Sequence, residues 1–318
     1  MSARRFLVTG GAGFIGSHLV ETLLAHGRSV TVLDDFSSGF RANLEGFSGD
    51  LRVIEGSILS DDDCAKAMEG VVAVSHQAAF GSVPRSVVSP ELYSSNNVHG
   101  TVNVLRHARA AGVRRVAMAS SSSVYGDSVR LPKREPDLGN PLSPYAASKR
   151  ACELFAQAFA ATGAMELVCM RYFNVFGPRQ NPRGPYAAVI PLFVAALLEG
   201  RQATIHGDGE QGRDFTYVAN VVAANLAALE GTVAPGCHVV NVACGGNTTV
   251  NELYRHLKEA CGSTVEAHHG PDRPGDIRDS MADITLAGTL LGYVPRTTLA
   301  EGLARTLEWY RAHPERIA

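Results

Sequence analysis

Neither sign of charge prevails in this chain. Its 318 residues carry 29 Lys and Arg against 31 Asp and Glu, a net charge of −2, which gives no electrostatic case for nucleic acid or an anionic membrane as partner. A long hydrophobic run is also missing. The longest, residues 187–198, contains Pro191 and is too short to span a bilayer. Residues 1–5 lead directly into an apolar, strand-like run, so no secretory leader is expected. The six cysteines, Cys64, Cys152, Cys169, Cys237, Cys244 and Cys261, show neither metal-ligand spacing nor a disulfide framework. They read as reduced thiols of a cytoplasmic protein without a metal site. No repeat, low-complexity segment or linker interrupts the chain. A composition of 45% hydrophobic and 19% charged residues is that of an ordinary globular protein, and the length suits one large α/β unit with a smaller lobe.

What is present begins at the N-terminus. Phe6-Leu7-Val8-Thr9 is followed by Gly10-Gly11-Ala12-Gly13-Phe14-Ile15-Gly16. Glycines at 10, 13 and 16 permit a tight turn, close backbone approach to a pyrophosphate and close packing of the next helix on its strand. That helix, Phe14 to about Ala25, directs its positive end at the phosphates. A second strand over residues 29–33 ends in Asp34-Asp35, about 20 positions on, where a carboxylate reaches the adenosine ribose 2′-OH and favours NAD over NADP. An ordinary βα turn is the competing reading. Downstream, Ser143-Pro144-Tyr145-Ala146-Ala147-Ser148-Lys149 counts against it. A helix starting near Pro144 puts the phenol and the ammonium on one face. A neighbouring cation favours the phenolate, lowering a pKa of about 10 toward working pH, so Tyr145 is a candidate proton-transfer group.

Strand-like runs at 51–54, 71–75, 115–120 and 166–171 alternate with helical patterns at 61–68, 91–111 and 143–161. This rhythm predicts an α/β fold, a doubly wound parallel sheet with ligands at the carboxyl ends of its strands. Gly10, Asp34, Ser57, Gln77 and Ser121 all fall just after such strands. Beyond Tyr172 come a turn-rich loop at 177–185 and a helix over about 188–199. The organisation expected is a Rossmann domain from 1–171 and about 214–245, with a smaller discontinuous α/β lobe from about 172–213 and 246–318.

The glycine turn, Tyr145-x-x-x-Lys149 and Ser120-Ser121-Ser122-Ser123-Val124-Tyr125-Gly126 together resemble the extended short-chain dehydrogenases/reductases acting on nucleotide sugars. Across residues 4–310 the chain is similar to UDP-hexose 4-epimerases, above all the bacterial UDP-N-acetylglucosamine branch. The segments that carry this are 77–86, 171–177, 184–191, 207–215 and 275–283. The resemblance implies NAD as cofactor and Ser121, Tyr145 and Lys149 as catalytic residues, with Ser122 and Ser123 as neighbours able to share the hydroxyl's role. It implies NAD contacts from Gly10, Gly13, Phe14, Ile15, Gly16, Asp34, Asp35, Ser37, Ser38, Gly39, Ser57, Ile58, Gln77, Ala78, Ala79, Asn97 and Phe173, besides Tyr145 and Lys149. For the UDP-sugar it implies Ser82, Arg85, Ser121, Ser122, Tyr145, Asn174, Ala188, Val189, His206, Arg213, Arg273, Asp276 and Ser280. Arginines suit a diphosphate because guanidinium donates bidentately to phosphate. His18, His76 and His99 read as structural.

Two positions depart from the pattern. Ser57 stands where the family usually has an Asp that contacts the adenine amine, so cofactor binding is expected to lean on Asp34 and the glycine turn. Ser280 stands where a bulky aromatic restricts some epimerases to unacetylated sugars. A small residue leaves room for a 2-acetamido group. The resemblance thus implies interconversion of UDP-GlcNAc and UDP-GalNAc, with UDP-Glc and UDP-Gal as the weaker pair, through a 4-keto sugar. A UDP-uronic acid 4-epimerase or decarboxylase stays open, since Arg85 or another cation could face a C6 carboxylate. A 4,6-dehydratase is disfavoured because Ser122-Ser123 replaces its Asp-Glu pair. A non-catalytic NAD(H) sensor would have little need of Ser121, Tyr145 and Lys149 together. For the two long alanine-rich helices over 91–111 and 143–161 the resemblance implies a homodimer through a four-helix bundle; no nucleic acid or membrane partner is expected.

Overall fold

The computed structural model describes residues 4–163, 165–183, 187–272 and 278–317. Along the chain run β1 (Arg5–Thr9), α1 (Phe14–Ala25), β2 (Ser29–Asp34), β3 (Leu51–Glu55), α2 (Asp61–Ala67) and β4 (Val71–His76). Then come α3 (Val83–Val88), α4 (Pro90–Tyr93), a π-helical segment (Ser94–His99), α5 (Gly100–Ala110), β5 (Arg115–Ser121), α6 (Pro144–Ala161) and β6 (Glu166–Tyr172). The second half holds β7 (Val175–Phe176), α7 (Val189–Leu198), β8 (Thr204–His206), β9 (Gly212–Arg213), β10 (Thr216–Tyr217), α8 (Val218–Glu230) and β11 (Gly236–Val242). It closes with β12 (Thr248–Thr249), α9 (Val250–Cys261), β13 (His268–Gly270), β14 (Asp279–Ser280), α10 (Thr285–Leu291) and α11 (Leu299–Ala312).

Seven strands form one parallel sheet in the order β11-β6-β5-β4-β1-β2-β3. Successive strands step outward to one side from β1 to β3, then resume on the other side of β1 with β4. This reversal opens a crevice at the carboxyl ends of β1 and β4, where α/β folds bind ligands. Parallel strands need both faces covered, and they are. On one face Val20, Leu23 and Leu24 of α1 and Val221, Ala224 and Ala228 of α8 pack on Val8, Val32 and Val240. On the other, Cys64 and Ala67 of α2, Val104 and Leu105 of α5, and Cys152 and Ala156 of α6 pack on Leu7, Val74, Val116 and Leu167. Helices α7, α9 and α11 gather a separate apolar cluster around Phe193, Leu253, Tyr254, Leu303 and Leu307. Beside them stand three small sheets, β10-β7, β12-β9-β14 and β13-β8. Among the described residues no helix is long and apolar enough to cross a membrane.

The helix expected over 91–111 is present as one continuous run, α4, the π-helical segment and α5; a helix not read from sequence, α3, precedes it. Asn97 lies in the π-helical segment. Its side chain is only 1% exposed; the amide donates to the Phe80 carbonyl at 3.1 Å and to Ser148 Oγ at 3.1 Å, and its oxygen accepts from Phe80 N at 2.9 Å. Helix α6 begins as expected. Ser143 caps it by accepting from Ala146 N at 3.1 Å, and Pro144 occupies the first helical position, where a missing N–H costs nothing.

Candidate active site

A large cavity, about 1120 Å³, lies at the carboxyl ends of the central strands. The glycine turn forms one end of it. Gly10 has φ +67°, and a Cβ there would stand 2.7 Å from Ala78 N, so both conformation and space demand glycine. A Cβ on Gly16 would run into the Gly10 carbonyl, so the helix is seated against the turn. The first turn of α1 carries no acidic residue, and its cap, Gly13, offers no side chain. Its N–H groups and positive end are thus left open to an anion. Asp34 is 7% exposed and accepts from Ala12 N and Phe36 N, each at 2.8 Å. Burial raises its pKa while these two backbone bonds lower it. The carboxylate therefore braces the turn as well as lining the cavity. An open glycine cradle, a bare helix N-terminus and an acidic strand end fit a dinucleotide.

Tyr145 and Lys149 enter the same cavity from α6, and Ser121 from the end of β5. The Ser121 side chain stands close enough to the Tyr145 hydroxyl to lower its pKa. The Lys149 ammonium donates to the Ala119 carbonyl at 3.0 Å. Burial works against the expected depression of the phenol. Although Tyr145 as a residue is half-buried, its hydroxyl end is enclosed, and this loss of hydration raises its pKa. The Ser121 side chain is the opposing influence, and the Cys152 thiol adds to the rise. Burial acts on the ammonium too: it lowers the Lys149 pKa, against Cys152, Glu153 and Cys169, which raise it. Tyr145 is thus an enclosed phenol beside Ser121, with burial opposing its ionisation and the Ser121 side chain favouring it.

A buried polar framework holds these groups. Glu153, two turns beyond Tyr145 on α6, accepts from Arg171 Nε at 2.9 Å and Nη2 at 2.8 Å and from Ser120 Oγ at 2.5 Å. Both members of the pair are buried, with side chains 2% exposed. His76 bridges Thr9 Oγ1 at 2.7 Å and Thr101 Oγ1 at 3.0 Å. Its pKa is pushed down to about 3, first by burial and then by Lys149, which keeps it neutral and agrees with the structural role read for it. The Tyr93 ring stands edge-on to Tyr145, 6.2 Å between centroids, and its hydroxyl donates to the Ser82 carbonyl at 2.6 Å.

Of the residues singled out from sequence, Gly10, Gly13, Phe14, Ile15, Gly16, Asp34, Asp35, Ser37, Ser38, Ile58, Gln77, Ala78, Ala79, Ser121, Ser122, Tyr145, Lys149, Asn174, Arg213 and Ser280 line this cavity. Others stand away from its walls. Asn97 holds Phe80 and Ser148, and Phe173 is buried with Val124 and Tyr125. Gly39 packs against Ala12. Ser57 donates its N–H to Asp63 Oδ2 at 2.9 Å, which brings a carboxylate to the strand end where the expected Asp is missing. Ser82 caps α3, and Arg85 lies over the Phe80 ring at 4.8 Å. Ala188 and Val189 start α7, and His206 meets the Pro271 carbonyl at 3.2 Å. Arg273 and Asp276 fall outside the described residues. The sequence reading missed an apolar wall formed by Val83, Pro84, Val87, Val88 and Leu142. Val87 and Val88 are 65% and 75% exposed. The signal available was valines at 83 and 87, one helical turn apart after Ser82, with no packing partner in the pattern.

Fold and site define an α/β enzyme with a dinucleotide cradle and a Ser-Tyr-Lys group in one cavity. Residues 6–243 match the NAD dependent epimerase/dehydratase family, to which the chain belongs; it is an enzyme, and NAD is its cofactor. It is 41% identical to a UDP-glucose 4-epimerase of Mycolicibacterium smegmatis, over 96% of this chain and 98% of that one. A UDP-glucuronate 4-epimerase of Thermodesulfobacterium geofontis is 30% identical, covering 98% of each. A UDP-N-acetylglucosamine 4-epimerase from Methanobrevibacter ruminantium, solved in complex with UDP-N-acetylmuramic acid, superposes with TM-score 0.92 at 37% identity, over 98% of this chain and 99% of that one.

Proposed function

We propose that the chain is a UDP-hexose 4-epimerase whose preferred pair is UDP-GlcNAc and UDP-GalNAc. The observation that carries this is the meeting of Ser121, Tyr145 and Lys149 with the glycine turn in one cavity, whose far wall holds Ser280 and Arg213. The glycine turn, Asp34 and α1 would hold NAD, which when bound supplies reversible acceptance of the sugar's C4 hydrogen with its electron pair. Tyr145 acts as the phenolate, held by Lys149: it takes the proton of the C4 hydroxyl through Ser121 and returns it to the other epimer. Lys149 fixes the phenol's surroundings and stabilises it once deprotonated. Arg213, with Arg273, would hold the diphosphate while the sugar turns over. Val83, Val87, Val88 and Leu142 offer no polar group to pin one orientation, which suits a ring that must present both faces. Ser280, 9% exposed, leaves space for an acetamido group.

The same reading assigns 1–171 with about 214–245 to the cofactor lobe and about 172–213 with 246–318 to the substrate lobe. The homodimer is supported by Leu154 and Phe155 of α6, which are 52% and 42% exposed, an apolar pair that a second copy would cover. Purified protein assayed with UDP-GlcNAc, UDP-Glc and UDP-GlcA should show the highest kcat/KM for UDP-GlcNAc. Ser280→Tyr should cut that value about tenfold or more while sparing UDP-Glc. A preference for UDP-GlcA would favour a uronate epimerase, and acetylated turnover surviving Ser280→Tyr would remove the pocket assignment.

A further inference from the structure

After Asp34 the chain makes a loop at 35–43, and Ser37 and Ser38 of that loop line the cavity beside the glycine turn. The loop holds strain. Phe36 has φ +55°, a left-handed conformation that a bulky residue keeps only when its surroundings impose it. The loop's far end is joined to the glycine turn at Ala12. Asn43, 2% exposed, donates Nδ2 to the Ala12 carbonyl at 2.9 Å, and Phe40 N donates to the same oxygen at 3.0 Å. Ala12 N in turn donates to Asp34 Oδ2 at 2.8 Å. The Ala12 peptide, next to the cap of α1, is therefore held on both sides.

The Asn43 amide is itself held by a residue far along the sequence. Arg316, in the turn that follows α11, donates Nη2 to Asn43 Oδ1. Its guanidinium stands over the Phe40 ring at 5.0 Å and the Trp309 ring at 5.8 Å, both within cation–π reach. A hydrogen bond from a cation is stronger than a neutral one, and this one keeps the amide nitrogen directed at Ala12. The turn is anchored in its own right: Arg183 Nη2 donates to the Glu315 carbonyl, and the buried Tyr310 hydroxyl donates to the Gln180 carbonyl. Since α11 packs in the apolar cluster with α7 and α9, Arg316 reaches from that cluster to the cofactor cradle.

We infer that Arg316 is a positioning residue for NAD, acting through Asn43 on the Ala12 peptide and on the loop at 35–43. The inference needs NAD as cofactor and does not depend on which sugar is turned over. By calorimetry on protein stripped of NAD, Arg316→Ala should bind NAD about fivefold to tenfold more weakly, as for the loss of one hydrogen bond. ADP-ribose, which keeps the adenosine and pyrophosphate without the nicotinamide, should weaken by the same factor, and UDP should bind as before. Asn43→Ala should also weaken NAD. The double variant should lose less than the product of the two single losses, because the two side chains form one link. Wild-type affinity of Arg316→Ala for NAD would overturn the inference. So would a NAD penalty absent with ADP-ribose, losses that multiply in full in the double variant, or equal weakening of UDP, which would mark a general loosening of the fold. A wild type that binds NAD but not UDP would instead count against the UDP-hexose reading.

Discussion

At one end of the cavity, Gly10, Asp34 and Ala78 stand at or just beyond the ends of β1, β2 and β4, parallel strands of five or six residues in the middle of the sheet. At the other, Arg213 and Ser280 stand on β9 and β14, strands of two residues each. The first end is braced from within by Glu153–Arg171 and by His76 between two threonines. Near the second, the Arg278–Asp208 pair is 62% and 59% exposed. A hydride-transfer site needs its catalytic groups and cofactor cradle held in register, because a small misplacement is expensive in rate. A pocket in which a sugar must turn over needs shape more than rigid polar contacts. The difference between the two ends follows that division.

The comparison breaks most visibly if the braces prove dispensable. Glu153→Gln leaves the Arg171 guanidinium buried without a counter-charge, which should cost about 3–5 kcal/mol of unfolding free energy. Arg278→Ala, in water, should leave the denaturation midpoint essentially where it is. Comparable losses from the two would mean that the Ser280 end is as tightly framed as the other. A smaller effect sharpens the picture at His76. Its folded pKa, about 3, lies below its ordinary 6.5. The stability it contributes is therefore full above about pH 6.5 and is lost as pH falls toward 3. The stability gap between wild type and His76→Gln should shrink on acidification across that window. A gap that stays constant would mean that His76 titrates normally.

What was legible in the sequence was local. The glycine spacing, Asp34 after its strand and Tyr145 one turn before Lys149 each follow from a short segment's own geometry, and each falls on the cavity wall. What was not legible depends on distant partners. Glu153 and Arg171 find each other across an element boundary, and Asn97 bonds to Phe80 and Ser148. The Tyr145 pKa was misjudged for the same reason. Spacing gave the neighbouring cation, but only the packed structure gives the burial that raises the phenol's pKa and the bond from the ammonium to the Ala119 carbonyl. The apolar wall over α3 was missed because exposed valines follow no burial pattern.

The central claim is that Tyr145, enclosed beside Ser121 in the NAD cavity, moves the proton of the C4 hydroxyl. Its most direct test is UDP-GlcNAc turnover by Tyr145→Phe, with bound NAD and UDP affinity measured on the same sample. Turnover lower by about 10²–10⁴-fold with NAD and UDP retained is the predicted result. Turnover within a few-fold of wild type would contradict it.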